Sequence, residues 1–310
     1  MPRAATLAAP VARPLVSRRA RELMTGYLYL VPVILVLGCT VLFPILKAMQ
    51  MSLYNHVLIK PQEYGYVGLA NYARLLRDDV FWLSLWNSCL WVFGSVSLQF
   101  LGGFAAALLL HQSFRGRALV RTLTLLPWII PGVVVALIWE FIYQPNYGLL
   151  NDVLSRLGWM GDRVAWLSSP ALAMPAVIAT NVWRGMPFFA IMLLAGLQAI
   201  PTELYEAARV DGASVFQRFI HITLPMLRPI IVVATATRIV WTFNYADLIF
   251  VMTSGGPANA TQITSTYTLL QAYSNLDFGY AATLSVALLL IMLGFTVFYL
   301  RITRGLESVA

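Results

Sequence analysis

The sequence predicts an all-α polytopic membrane protein with six transmembrane helices, and three observations predict it. Of 310 residues, 59% are hydrophobic and only 11% charged, against about 25% charged in ordinary soluble domains. A soluble chain of this size could not hide so much apolar surface. The apolar residues gather into runs of about 20, enough for a helix to cross a ~30 Å hydrocarbon core. Lysine and arginine then favour alternate connections, as the positive-inside bias requires.

The first run, "YLYLVPVILVLGCTVLFPILKAM", follows Arg3, Arg13, Arg18, Arg19 and Arg21. It is too long for a signal-peptide core, so it is expected to be an uncleaved span over 27–48 after a cytoplasmic arm at 1–26. Five more spans are expected at 85–110, 119–142, 172–197, 228–252 and 280–301, making a transmembrane domain of 27–302 and a tail of 303–310. The N-terminal arm, the 111–121 and 198–228 connections and the C-terminus together hold thirteen Lys and Arg; the alternate connections hold five. Both termini are therefore expected in the cytoplasm and the 253–279 segment outside. Pro32, Pro44, Pro127, Pro131, Pro175, Pro187, Gly102, Gly103 and Gly185 interrupt the spans. Such breaks survive in lipid where neighbouring helices or a wet cavity satisfy the freed backbone groups.

Several chemistries are disfavoured. The net charge of +8 comes mostly from loop and terminal arginines, a topology signal and not a phosphate-binding face, so no nucleic-acid partner is expected. Cys39 and Cys89 each sit inside an apolar run, against a disulfide framework or thiolate metal site. His56, His111 and His221 are scattered without ligand spacing, and no nucleophile–base constellation appears. The only lysines, Lys47 and Lys60, follow Leu and Ile, so the chain carries no phosphate-binding P-loop.

One connection, 199–226, is unlike the rest. In "ELYEAARVDGASVFQRFIHITLP", Pro201 and Thr202 start a helix whose early turns hold Glu203 and Glu206, where acids suit the positive helix end. Asp211-Gly212 makes a turn, with Gly212 free to close the helix in a left-handed conformation. Ser214 and Gln217 fit a capping box for a second short helix, and Pro225 and Pro229 mark the return to the next span. An amphipathic loop lying in the headgroups would be richer in Lys and Arg. The small surface of Ala207, Ala208, Gly212 and Ala213 suits docking against another protein instead.

Glu206, Ala207, Ala208, Asp211, Gly212, Ile222, Leu224 and Pro225 here resemble the signature loop of ABC-importer permeases. "VGLANYARLLRD", "LLPWIIPGVVVALIW", "GLQAIPTELYEAARVDGAS" and "SGGPANAT" extend the likeness over nearly the whole chain, toward carbohydrate-uptake permeases of the maltose-transporter first-subunit type. Two extra N-terminal spans and a large outward domain of the maltose permease have no counterpart. The resemblance implies a type I ABC importer permease fold in a bacterial inner membrane. It also implies a second similar permease, two ATP-binding subunits that hold ATP and magnesium, and an extracytoplasmic solute-binding protein. The 199–226 loop would be the coupling helix that docks on the ATPase, so the chain itself is not expected to be an enzyme.

Arg184 and Arg238 fall inside spans, where a central arginine costs about 2.5–3.5 kcal/mol on insertion scales and usually faces a cavity or a partner. Asn181, Arg184, Gly185 and Phe188 share one helical face, as do Arg238, Trp241, Thr242 and Tyr245. Aromatic rings cover the apolar side of a sugar while guanidinium and amide groups bond its hydroxyls. In the resembled family, the corresponding faces line the sugar site. Alternatives remain open at the level of sequence. The arginines could pair structurally with Glu140 or Asp247, or hold an anionic polyol such as glycerol 3-phosphate. An ATP-independent secondary transporter is a third reading.

Overall fold

The computed structural model of the chain describes residues 18–307, with side chains over 27–303. Most of the expected N-terminal arm, 1–17, and the last of the tail, 308–310, lie outside the described residues. The chain divides into two compact units, 1–50 and 51–310.

The first unit holds α1 (Arg18–Leu37), a π turn at Gly38–Leu42 and α2 (Phe43–Met51), which together carry one apolar span over Tyr27–Met51. The π turn has a local cause. Pro44 offers no N–H, and its ring would press on the carbonyl four residues back. The wider turn, closed by Phe43 N–H donating to Gly38 O, gives that ring room.

The second unit opens with a two-residue hairpin, β1 (Tyr54–Asn55) antiparallel to β2 (Gly65–Tyr66), and α3 (Ala70–Leu76). α4 (Asp79–His111) begins six residues before the expected 85. The carboxylate of Asp78 accepts from Val80 N and Phe81 N there and starts the helix early. α5 (Arg117–Ile129) and α6 (Gly132–Ile142) divide the expected span 119–142, bent by 95° at their junction beside Pro131, one of the expected interruptions. Pro131 disfavours the helical conformation in its predecessor, and Ile130 is extended at φ −68°, ψ 131°.

α7 (Leu149–Arg156) leads to α8 (Pro170–Ala199), then to α9 (Thr202–Val210). α10 (Val215–Arg218), a π turn at Phe219–Thr223 and α11 (Leu224–Phe243) form one unbroken helix. The expected second short helix of the loop and the fifth span are thus a single rod. Pro225 follows its π turn as Pro44 follows the first, and Leu224 N–H reaches back to Phe219 O. At its other end the rod stops at Phe243, nine residues short of the expected 252. Asn244 donates its side-chain amide to Val240 O, and Tyr245 N–H closes a tight turn on Thr242 O. A separate α12 (Asp247–Thr253) follows, then α13 (Thr264–Leu269), a third π turn at Leu270–Ser274 and α14 (Phe278–Glu307). Among the described residues, five helices are long and apolar enough to cross a membrane, and the bent pair can supply a sixth.

The core is α4 laid on α8, and small residues bring the two backbones together. A Cβ on Gly103 would stand 2.5 Å from Phe189 Cβ and 2.8 Å from Met186 O. Fully buried Trp91 donates its indole N–H to Thr242 O, 3.0 Å, tying α4 to α11 as well. At the Asp79 end, Arg74 pairs with Asp277 at 2.7 Å, and the Tyr267 and Tyr280 hydroxyls both donate to Asp78. One carboxylate there serves α4, α13 and α14 together.

Candidate functional site

Asn244 ends α11 beside a cavity of about 430 Å³ lined by Trp128, Arg184, Arg238, Val240, Trp241, Thr242, Asn244 and Tyr245. All four residues of the expected α11 face line it. From the α8 face only Arg184 does, because Asn181, Gly185 and Phe188 are buried behind it. These three support the lining. The Phe188 ring packs on Trp241 at 5.6 Å and Trp128 at 6.3 Å, and the Arg238 guanidinium lies 5.9 Å from the same ring.

Gly185 has a sharper role. A Cβ there would run into the Arg238 guanidinium and the Gln99 amide, so only glycine leaves room for both. Arg238 is 5% exposed, and its Nε donates to Gln99 Oε1 at 2.6 Å. Gln99 in turn donates Nε2 to Asn181 O at 2.9 Å. The Arg184 guanidinium lies 5.0 Å from the Tyr245 ring centre, a cation–π distance. Neither arginine pairs with Glu140 or Asp247; the ion pairs among the described residues are Lys60–Glu63, Arg74–Asp277 and Arg156–Asp152. Asn181 Nδ2 and Oδ1, Arg184 Nε, Thr242 Oγ1 and Tyr245 Oη are buried without a hydrogen bond in the chain. Buried polar atoms are nearly always bonded, so these groups are left with unused hydrogen-bonding capacity beside the cavity.

The sequence reading missed Trp128, Asn244 and Gln99. Gln99 had a usable signal, a lone amide in the apolar run "SVSLQFLGG". Trp128 had none, because only the bend at Pro131 decides how α5 and α6 meet the other helices.

The 199–226 loop is closed by two interlocking bonds at the end of α9. Gly212 N–H donates to Arg209 O at 3.1 Å and Ala213 N–H to Ala208 O at 2.8 Å, with Gly212 at φ +79°. Ser214 and Gln217 form the expected capping box. Glu206, Ala207, Asp211 and Gly212 are exposed and Ala208 is half-buried. Beside them stand Val210, Val215 and Phe216, 88%, 74% and 70% exposed. Ile222, Leu224 and Pro225 fall elsewhere, on the rod: Ile222 packs on the core, while Leu224 and Pro225 border a second cavity with Arg228 and Thr303. The Tyr205 hydroxyl, 2.9 Å from Thr223 Oγ1, links the two parts.

Residues 99–308 match the family model described as "binding-protein-dependent transport system inner membrane component". The chain belongs to this family. The permease is 40% identical over 285 residues to the trehalose/maltose transport system permease protein MalF of Thermococcus litoralis, covering 92% of this chain and 95% of that one. It is 36% identical to the sulfoquinovosyl glycerol transport system permease protein SmoG of Agrobacterium fabrum, covering 91% of each. Among solved structures, a bacterial ABC transporter involved in the import of the acidic polysaccharide alginate matches with a TM-score of 0.80 at 24% identity, covering 93% of this chain and 98% of that one. At that identity the likeness speaks for the fold, the type I importer permease fold. The permease is a multi-pass membrane subunit of a binding-protein-dependent ABC importer.

Proposed function

We propose that this permease forms the path for a sugar or sugar derivative, and that its 199–226 loop couples the path to ATP hydrolysis in a separate subunit. The observation that carries the reading is the cavity itself. The residues lining one space of about 430 Å³ supply two guanidinium groups, three aromatic rings, two hydroxyls and an amide, a donor-and-ring pattern suited to a hydroxyl-rich ring. Relatives named for trehalose/maltose and for sulfoquinovosyl glycerol support the class. A second reading, a solute bearing an acid, is favoured by one fact: no carboxylate among the described residues pairs with Arg184 or Arg238.

The partners would be a second permease, two ATP-binding subunits carrying ATP and magnesium, and an extracytoplasmic binding protein. An exposed, acidic, tightly capped loop bearing Val210, Val215 and Phe216 supports docking on the ATPase, since large apolar side chains left in water favour an interface. The thirteen-to-five bias of basic residues supports cytoplasmic termini. Uptake by the intact complex tests the cavity. Arg184→Ala and Arg238→Ala are expected to raise the half-saturating solute concentration roughly ten- to a hundred-fold, as loss of a charge-assisted hydrogen bond does, with complex yield preserved. Loss of the complex itself in both variants would make the arginines scaffold charges.

A further inference from the structure

Gln99 is not among the cavity-lining residues, yet it bonds to both helices that carry the two lining arginines. We propose that Gln99 is the positioning residue of the solute path: it holds the Arg238 guanidinium toward the cavity and references that guanidinium to α8. The inference rests on the cavity being the solute path.

Three observations converge on it. Gln99 is fully buried, and both ends of its amide are used: Oε1 accepts from Arg238 Nε at 2.6 Å, and Nε2 donates to Asn181 O at 2.9 Å. The side chain therefore has no freedom to flip without losing both bonds at once. Second, Gly185 supplies the space, because any Cβ there would collide with the same amide and the same guanidinium. Third, the amide binds Arg238 through Nε, the inner nitrogen, while Arg238 borders the cavity. A guanidinium gripped at its inner nitrogen keeps its outer fork for a ligand.

The connectivity gives the contact its meaning. α8 runs into the 199–226 loop and the Val215–Phe243 rod runs out of it, whereas α4 connects to neither end. Gln99 is thus a fixed amide on a third helix that reads the separation of the two arms of the loop. A shift of either arm loosens one of its two bonds and releases or redirects Arg238.

The test uses the intact transporter complex, with labelled trehalose, maltose or sulfoquinovosyl glycerol as probe, whichever the unaltered complex takes up. Gln99→Leu, close in bulk but without either bond, is expected to raise the half-saturating concentration about tenfold while complex yield and melting temperature hold. Gln99→Glu keeps an oxygen facing Arg238 and is expected to recover most of that loss. Combining Gln99→Leu with Arg238→Ala is expected to shift the concentration no further than Arg238→Ala alone, since one residue acts through the other. Three results would overturn the proposal: additive losses in the double variant, an unchanged half-saturating concentration in Gln99→Leu while Arg238→Ala shifts it, or loss of the complex in every Gln99 variant. If Arg238→Ala and Trp241→Ala both leave the solute dependence unchanged, the cavity reading itself fails, and the role of Gln99 falls with it.

Discussion

Gly212 sits at φ +79° with nothing within 4 Å of where a Cβ would be, so within the chain it is the backbone conformation that asks for glycine. Forcing an L side chain into the left-handed region costs about 1–2 kcal/mol, more for a β-branched one. Gly212→Val is expected to abolish uptake while the spans still insert, and Glu206→Lys to do the same by reversing an exposed docking charge; uptake and ATPase co-purification measure both. Asp78 makes a different kind of prediction. Burial pushes its carboxyl up, but hydrogen bonds from Tyr267, Tyr280, Phe81 N and Val80 N together hold it below the usual range. The same contact, after burial, pushes the Tyr267 hydroxyl up to about 12. A carboxyl depressed on folding contributes stability that is full above its unfolded value of about 3.9 and is lost as pH falls through the folded value. The melting temperature is therefore expected to drop below about pH 4. Asp78→Ala should lower it at neutral pH by the loss of a helix cap, about 1–2 kcal/mol, and flatten that acid dependence.

At the scale of elements, the sequence shows hydrophobic length well and chain direction poorly. The spans at 27–48, 172–197 and 280–301 correspond to helices within a few residues, because long apolar runs have no other stable form in lipid. The span over 119–142 could not be read as bent, although Pro131 was visible. A proline in an apolar run fits a kink, a break or a tolerated turn, and the choice depends on neighbours distant in sequence. Likewise Pro225 marks the expected return to the fifth span, yet a π turn absorbs it and one helix runs through. The cavity was half legible. Arg238, Trp241, Thr242 and Tyr245 follow from spacing, whereas Trp128 joins them only through tertiary packing. Pro225→Ala restores a donor at 225 and removes the reason for the wide turn. Hydrogen exchange is expected to show added protection around residue 225 and altered protection over 219–223, with weaker coupling of ATP hydrolysis to uptake.

For the whole molecule, orientation is the statement most open to direct measurement. On a background lacking Cys39 and Cys89, Tyr273→Cys, 72% exposed in the native chain, is expected to react with an impermeant thiol reagent from outside. Val215→Cys, at a site 74% exposed, is expected to react only after the membrane is opened. Tyr273 is the better probe of the 253–279 segment than Asn259, whose φ of +62° a substituted side chain would strain. The reverse pattern would leave the loop on the wrong side for any cytosolic motor. Finally, the unbroken Val215–Phe243 helix has a mechanical consequence. From Phe216 at its exposed foot to Arg238 is about 33 Å of axis at 1.5 Å per residue, and the helix is continuous through its π turn. A rigid lever of that length, tilted by about 5°, swings its far end by about 3 Å, roughly the length of one hydrogen bond. If Arg238 lines the solute path, a motor that moves Phe216 reaches the cavity wall directly, because rocking the rod shifts Arg238 against Gln99 and Arg184.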